Sequence, residues 1–322
     1  MASQFSTTGV NDPTGFMKAS VKKPAGFFNA QRKAPYIFML PFVLLFLVFG
    51  VYPIGYSIYI SFFRWTVNGQ EGFVGIQNYT RLFTTDPFFL KSLGTTVWLL
   101  IFGSFLQHLF AIPLAIKLNS PKTRGRFLFR SAYFVPYITS SVSIAIIFSR
   151  LFDERFGWLN YLLTDVLNLG AIDWLGSPAW IPVSLAIVLN WRFIGWNTVI
   201  YFAGLQSIPK DLYEAAEIDG ASPLQQHLRI TIPLLLPVIF FTTTMSIIGG
   251  MQVFEEPFLL MGGYQSLGGP ANAGLTSAFY LMYQGFGASR FGRGSAIAWV
   301  LFGFIAILTV ISRVVMKRLE DR

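Results

Sequence analysis

Four carboxylates fall within nine residues of an otherwise oily chain: Asp211, Glu214, Glu217 and Asp219, in the stretch DLYEAAEIDGASPLQQHLRITIPLLLP (211–237). Acids on a short exposed helix favour a partner rich in Lys or Arg, and the small side chains of Ala215 and Ala216 let such a surface approach closely. The bland alternative is a solvated loop. Elsewhere, Glu255 and Glu256 look like a carboxylate pair, but neighbours on a helix point to different faces. Arg192 stands alone inside an apolar run. The chain has no cysteine and only two histidines, which excludes a thiolate metal site, a disulfide and a cysteine nucleophile, and argues against a His-rich metal centre. There is no G-x-x-x-x-G-K-[ST] phosphate loop, no H-E-x-x-H and no G-x-S-x-G. No residue is assigned a catalytic role.

The elements that must position these groups are set by the composition. Hydrophobic residues make up 53% of the 322, and charged ones 12%. A soluble domain carries roughly twice that charge, so this is a membrane chain, with mean hydropathy +0.55. A span needs about 20 apolar residues. Six candidates run 36–63, 93–117, 127–150, 179–205, 233–254 and 294–316. Residues 1–35 read as a polar N-terminal tail rather than a cleavable signal, 36–316 as a six-span domain, and 317–322 as a C-terminal tail. With both termini inside, the inner segments hold sixteen Lys and Arg and the outer ones seven. That asymmetry supports two cytoplasmic termini. The net charge of +9 is absorbed by this loop asymmetry, so no nucleic-acid partner is implied.

On this topology the acidic run is cytoplasmic, against the charge trend of its neighbours. Its local signals predict two short helices over 209–232. Pro209 suits a first helical position, Asp211 and Glu214 complement the positive end of the dipole, and Gly220 provides a left-handed stop. Ser222, Pro223 and Gln225 then form a capping-box pattern. The result is a helix–turn–helix elbow on the inner face, too short to cross the bilayer.

Several spans carry breakers, among them Pro41, Pro53, Pro136, Pro182, Gly195, Pro237, Gly249 and Gly250. Most such residues serve packing or kinks, and a minority line a pathway. The best candidates for a route are Gly249 and Gly250, with Ser246, Gln252 and Glu255 close by. Arg192, costly at mid-span, is expected to face a cavity, a partner subunit or an acid such as Glu255. Pairing and substrate contact both remain open. Outside, 72–89 and 158–180 read as short surface helices, with Trp158, Trp174 and Trp180 in an interfacial belt.

The stretch EAAEIDGASPLQQHLRITIP resembles the EAA motif of importer-type ABC transporter permeases. Glu214-Ala215-Ala216, Gly220, Ile230 and Pro233 fall at the motif's spacings, while Ile232 replaces its usual Leu and His227 a common aromatic. GLQSIPKDLYEAA (204–216), VGIQNYTRLF (74–83) and GGPANAGLTSAFYLMYQGF (268–286) are similar to the carbohydrate-uptake branch, the maltose-type first permease subunits; GGYQSLGGP (262–270) is longer than that branch's glycine-rich turn.

The resemblance implies an all-α, six-span ABC importer permease whose elbow is the coupling helix. Glu214, Ala215, Ala216, Asp219 and Gly220 would then engage a cytosolic ATPase dimer. It further implies a second homologous permease, an external or periplasmic solute-binding protein, and a multi-pass place in the plasma (inner) membrane of a prokaryote, among membrane lipid. No cofactor is expected in this chain, ATP and Mg being the ATPase's. The expected cargo is a di- or oligosaccharide. Rivals are a permease for another solute, such as glycerol phosphate or a polyamine, an ion-gradient carrier, which would need acids at mid-span, and an intramembrane enzyme.

Overall fold

The computed structural model describes residues 25–120 and 123–320. Most of the expected tail 1–35, two residues of the basic loop 117–130, and the last two of 317–322 lie outside the described residues. The chain divides into two units, one ending at Gly55 and the other beginning at Tyr56.

The first unit is helix α1 (Ala25–Phe46), continued by a wide turn over Leu47–Val51. Its apolar side chains from Tyr36 to Tyr52 are exposed, and residues 34–55 carry no charge. A helix this oily and this uncovered is satisfied by lipid, not by water.

The unit boundary falls within α2 (Tyr52–Ser61). The second unit then has one departure from an all-helical fold among the described residues, a hairpin of β1 (Phe63–Thr66) and β2 (Gly69–Phe73). Val67 and Asn68 make its turn, and Gly69, the first residue of β2, follows at φ +94°. Next come α3 (Gln77–Thr84) and α4 (Phe89–Leu99), which passes through a wide turn (Leu100–Ser104) into α5 (Phe105–Asn119). They are followed by α6 (Arg126–Ile138), α7 (Ser141–Leu151), α8 (Trp158–Tyr161) and the long α9 (Ile181–Gln206). The elbow contributes α10 (Asp211–Ile218) and α11 (Pro223–Gln226), which a wide turn (His227–Thr231) joins to α12 (Ile232–Met251). The chain finishes with α13 (Glu255–Leu260), α14 (Ser277–Met282), a wide turn over Tyr283–Gly287, and α15 (Phe291–Glu320).

Five segments are long and apolar enough to cross a bilayer: Ala34–Ser61, Phe89–Asn119, Ile181–Gln206, Pro223–Leu260 and Phe291–Arg318. They fall on five of the six expected spans. The expected span 127–150 is instead α6 and α7, bent by 98° at their junction, so six is reached only if the bent pair is one span. The cause is local. Pro136 cannot donate to the helix ladder, Thr139 and Ser140 turn extended, and the Thr139 hydroxyl donates to the Val135 carbonyl at 2.8 Å. The fifth span differs in the other direction. It runs unbroken from Pro223, because the wide turn ahead of α12 carries the helix through Pro233.

Helix α9 is the hub. Ala111, Ala115 and Leu118 of α5 pack on Tyr201, Phe202 and Leu205 of α9 and on Leu235 of α12. α6 crosses α9 at Gly195, where a Cβ would stand 1.7 Å from the Tyr133 carbonyl oxygen, so only glycine permits this approach. Trp174, expected in the interfacial belt, is buried instead, its indole N–H donating to Asn160 Oδ1 at 2.9 Å; Trp158 is exposed.

Candidate functional site

Two regions carry the groups singled out above. The first is the elbow. α10 starts at Asp211 rather than at Pro209, with Asp211 and Glu214 in its first turn. Gly220 takes φ +78°, and the N–H groups of Gly220 and Ala221 donate back to Glu217 and Ala216 at 3.0 and 2.9 Å, a Schellman-type stop. Ser222 and Gln225 then exchange both capping-box bonds, and Pro223 holds the first helical position. Tyr213 anchors the elbow to the spans. Its ring packs on the α5–α9 core and its hydroxyl pairs with buried Thr231 at 2.9 Å.

Beyond that anchor the elbow is bare. Glu214, Ala215, Asp219 and Gly220 are exposed, Ala216 is half-buried, and Leu212, Ile218, Leu224 and Leu228 stand uncovered. Ile218 is 87% exposed. An acidic helix bearing a row of uncovered apolar side chains is a surface suited to a protein partner.

The second region is a cavity of about 270 Å³ within the helices of the second unit. Its wall takes Ser104 from the turn before α5, Gln107 from α5, Tyr137 from α6, Phe193, Trp196 and Asn197 from α9, and Phe241, Ser246, Gly249 and Gly250 from α12. Tyr137 stacks on Trp196 at 4.4 Å and 19°, and Asn197 donates to Gln107 at 3.3 Å. Among the lining residues there is no Asp, Glu, Lys or Arg. The two glycines differ. A Cβ on Gly249 would meet nothing within 4 Å, whereas one on Gly250 would press on the Leu100 side chain at 2.8 Å. Gly249 keeps the space open and Gly250 lets α12 approach the turn before α5.

Of the pathway residues expected from the sequence, Ser246, Gly249 and Gly250 line this cavity, and Arg192, Gln252 and Glu255 do not. Arg192 Nη1 is paired with Glu256, and lies 3.9 Å from Glu255 Oε2. Ser141 accepts from Arg192 at 2.9 Å and donates to Glu255. The Arg192 and Glu256 side chains are only 16% and 6% exposed. The cluster therefore clasps α7, α9 and α13 together. The sequence does not single out Glu256, since adjacent residues on a helix point to different faces. Gln107, Tyr137, Trp196 and Asn197 were also missed. Their signal was amides and aromatics inside mainly apolar spans.

Apolar spans with broken helices around an uncharged cavity have the build of a membrane permease. The chain belongs to the family of binding-protein-dependent transport system inner membrane components, whose model matches residues 107–322. It is thus a transport component and not an enzyme, and ATP hydrolysis belongs to a separate subunit. It is 39% identical to the arabinooligosaccharides transport system permease protein AraP of Bacillus subtilis, over 87% of this chain and 88% of that one. It is 35% identical to the lactose transport system permease protein LacF of Rhizobium radiobacter, over 85% and 91%. It shares its fold with a chain of a bacterial ABC transporter involved in the import of the acidic polysaccharide alginate, at a TM-score of 0.77 and 20% identity, covering 91% of this chain and 98% of that one.

Proposed function

We propose that this chain is the sugar-conducting permease of an ATP-driven importer and that its cargo is an uncharged di- or oligosaccharide. The observation that carries the substrate reading is the chemistry of the cavity wall. Stacked Tyr137 and Trp196 offer flat apolar faces for a sugar ring, and Gln107, Asn197, Ser104 and Ser246 offer donors and acceptors for its hydroxyls. A glycerol phosphate would want a cation there and a polyamine an anion, and the wall supplies neither. The names of the relatives, arabinooligosaccharide and lactose permeases, support the same class.

In this reading both termini are cytoplasmic, residues 36–316 form the transmembrane domain, and the elbow 209–232 is the coupling element. Glu214 and Asp219 meet basic residues of a cytosolic ATPase dimer that holds ATP and Mg, Ala215 and Ala216 permit close packing, and Gly220 sets the bend. A second, homologous permease completes the pore, and an external or periplasmic binding protein delivers the sugar. The site is in the inner membrane of a prokaryote.

The test is uptake by cells carrying the complete transporter, offered neutral oligosaccharides, glycerol phosphate and spermidine. Neutral sugar alone should enter. Glu214→Lys should abolish uptake while the protein still reaches the membrane. Uptake of a charged solute in preference to sugar, or normal uptake by Glu214→Lys, overturns the corresponding half of the proposal.

A further inference from the structure

Connectivity puts the start of α15 at the end of the spans away from the elbow. There α3, the segment 86–89, the wide turn after α14 and the first turn of α15 enclose a second cavity of about 340 Å³. Three guanidiniums line it: Arg81 from α3, and Arg290 and Arg293 from either side of the start of α15. Arg293 is near enough to Arg81 and Arg290, and to the opposite charge of Asp86, to feel each of them, and among the described residues no carboxylate comes within 4.0 Å of any of the three.

The single acid in the wall, Asp86, is already engaged. Its Oδ1 accepts from the Phe88 and Phe89 N–H groups at 3.0 and 3.1 Å, and its Oδ2 from the Tyr280 hydroxyl at 2.5 Å. Burial first, and then Asp86, push the Tyr280 phenol well above its ordinary range, so it stays protonated and donating. The Tyr280 oxygen in turn accepts from Gln284 Nε2 at 2.6 Å. That fixes the amide and leaves Gln284 Oε1 over, buried and without a partner, on a side chain only 4% exposed. The cavity thus sets three guanidiniums against one carboxylate that is already bonded, and beside it leaves an acceptor without a hydrogen-bond donor.

Its setting says where a partner for each comes from. Arg293 sits in the first turn of a span, at the depth of lipid headgroups, and Phe286, on the turn that carries Gln284, is 64% exposed beside Phe291. Planar guanidiniums match phosphate oxygens. We propose that this cavity is a site for the headgroup of an anionic phospholipid. The phosphodiester lies among Arg81, Arg290 and Arg293, and a headgroup hydroxyl donates to Gln284 Oε1. Phosphatidylglycerol meets both demands; phosphatidylcholine has neither the net charge nor the hydroxyl. The site depends on the chain's place in a bilayer and not on the identity of its cargo.

Native mass spectrometry of the full chain in detergent, with phosphatidylglycerol, phosphatidylmethanol, phosphatidylcholine or inorganic phosphate added, tests this. Phosphatidylglycerol should be retained over phosphatidylcholine. Arg290→Gln with Arg293→Gln should weaken it by about tenfold or more, the worth of charge-assisted bonds. Gln284→Leu should reduce phosphatidylglycerol to the level of phosphatidylmethanol, which has no headgroup hydroxyl, and leave the latter unchanged. Arg313→Gln, at the other end of α15, should change nothing. The proposal falls if the double variant retains phosphatidylglycerol as the parent does, if inorganic phosphate displaces the lipid, or if the arginine changes spare lipid but abolish capture by the external binding protein.

Discussion

The elbow draws every group it uses from one continuous piece of chain, while the cavity wall is collected from α4, the turn after it, α5, α6, α9 and α12. The elbow's shape follows from bonds between residues three to five apart: the Schellman stop at Gly220 and the capping box at Ser222. The cavity's shape follows from how closely helices approach, at Gly195 against Tyr133 and at Gly250 against Leu100. Damage to a cap should therefore stay in the elbow, and damage to packing should reach the cavity without touching the elbow.

The largest effect should come from Arg192→Ala. It strands Glu256 in a buried site and unclasps α7 and α13 from α9, a loss of about 3–5 kcal/mol in stability, read as a lower Tm and less protein in the membrane. Adding Glu256→Gln should recover part of that loss. No change in stability or uptake would remove the clasp from the account. Gly195→Ala comes next. Its methyl collides with the Tyr133 carbonyl, at a cost of about 1–3 kcal/mol, and sugar uptake should fall while hydrogen exchange in the elbow stays as it was. Gly220→Val should do the reverse. The left-handed position costs a β-branched residue about 1–2 kcal/mol or more, confined to the elbow, so uptake fails with the Tm nearly unchanged.

Trp196→Ala sharpens the cavity side. Losing the stacked pair, worth about 0.5–1.5 kcal/mol beyond its area, should weaken the apparent affinity for sugar several-fold and leave the amount of protein in the membrane unaltered. Ser222→Ala is the gentlest. The bond from the Gln225 N–H is long, at 3.4 Å, so the cost should sit near the low end for a cap, about 0.5 kcal/mol. It should be seen as faster amide exchange at the start of α11 alone.

The same contrast governs what could be read from the sequence. Proline, serine, glutamine and glycine at fixed offsets foretold the elbow, because a cap is a local event. Five spans were legible from apolar length, whereas the hairpin turn at Val67-Asn68 lies ahead of the surface-helix reading, which begins only at residue 72. The bend after Ile138 was signalled only by Pro136, one of many prolines, since whether a helix bends there depends on the extended conformation of Thr139 and Ser140. In the cavity, Ser246, Gly249 and Gly250 were found by proximity along one helix. Tyr137 and Trp196 meet across two helices 59 residues apart in the chain, and no spacing rule connects them. Arg192 invited a choice between pairing and pathway, and its guanidinium pairs with Glu256 and is not among the residues that line the cavity.

Because α11 flows without a stop into α12, the capped end of the elbow and the glycine-lined wall belong to one stiff rod. Gly249 lies 26 residues beyond Pro223, about 39 Å along a helix, so tipping the rod by about 5° about its capped end would sweep Gly249 sideways by roughly 3 Å. A small push at the capped end would thus arrive, enlarged, at the glycine-lined wall of the cavity, with no relay of side chains in between.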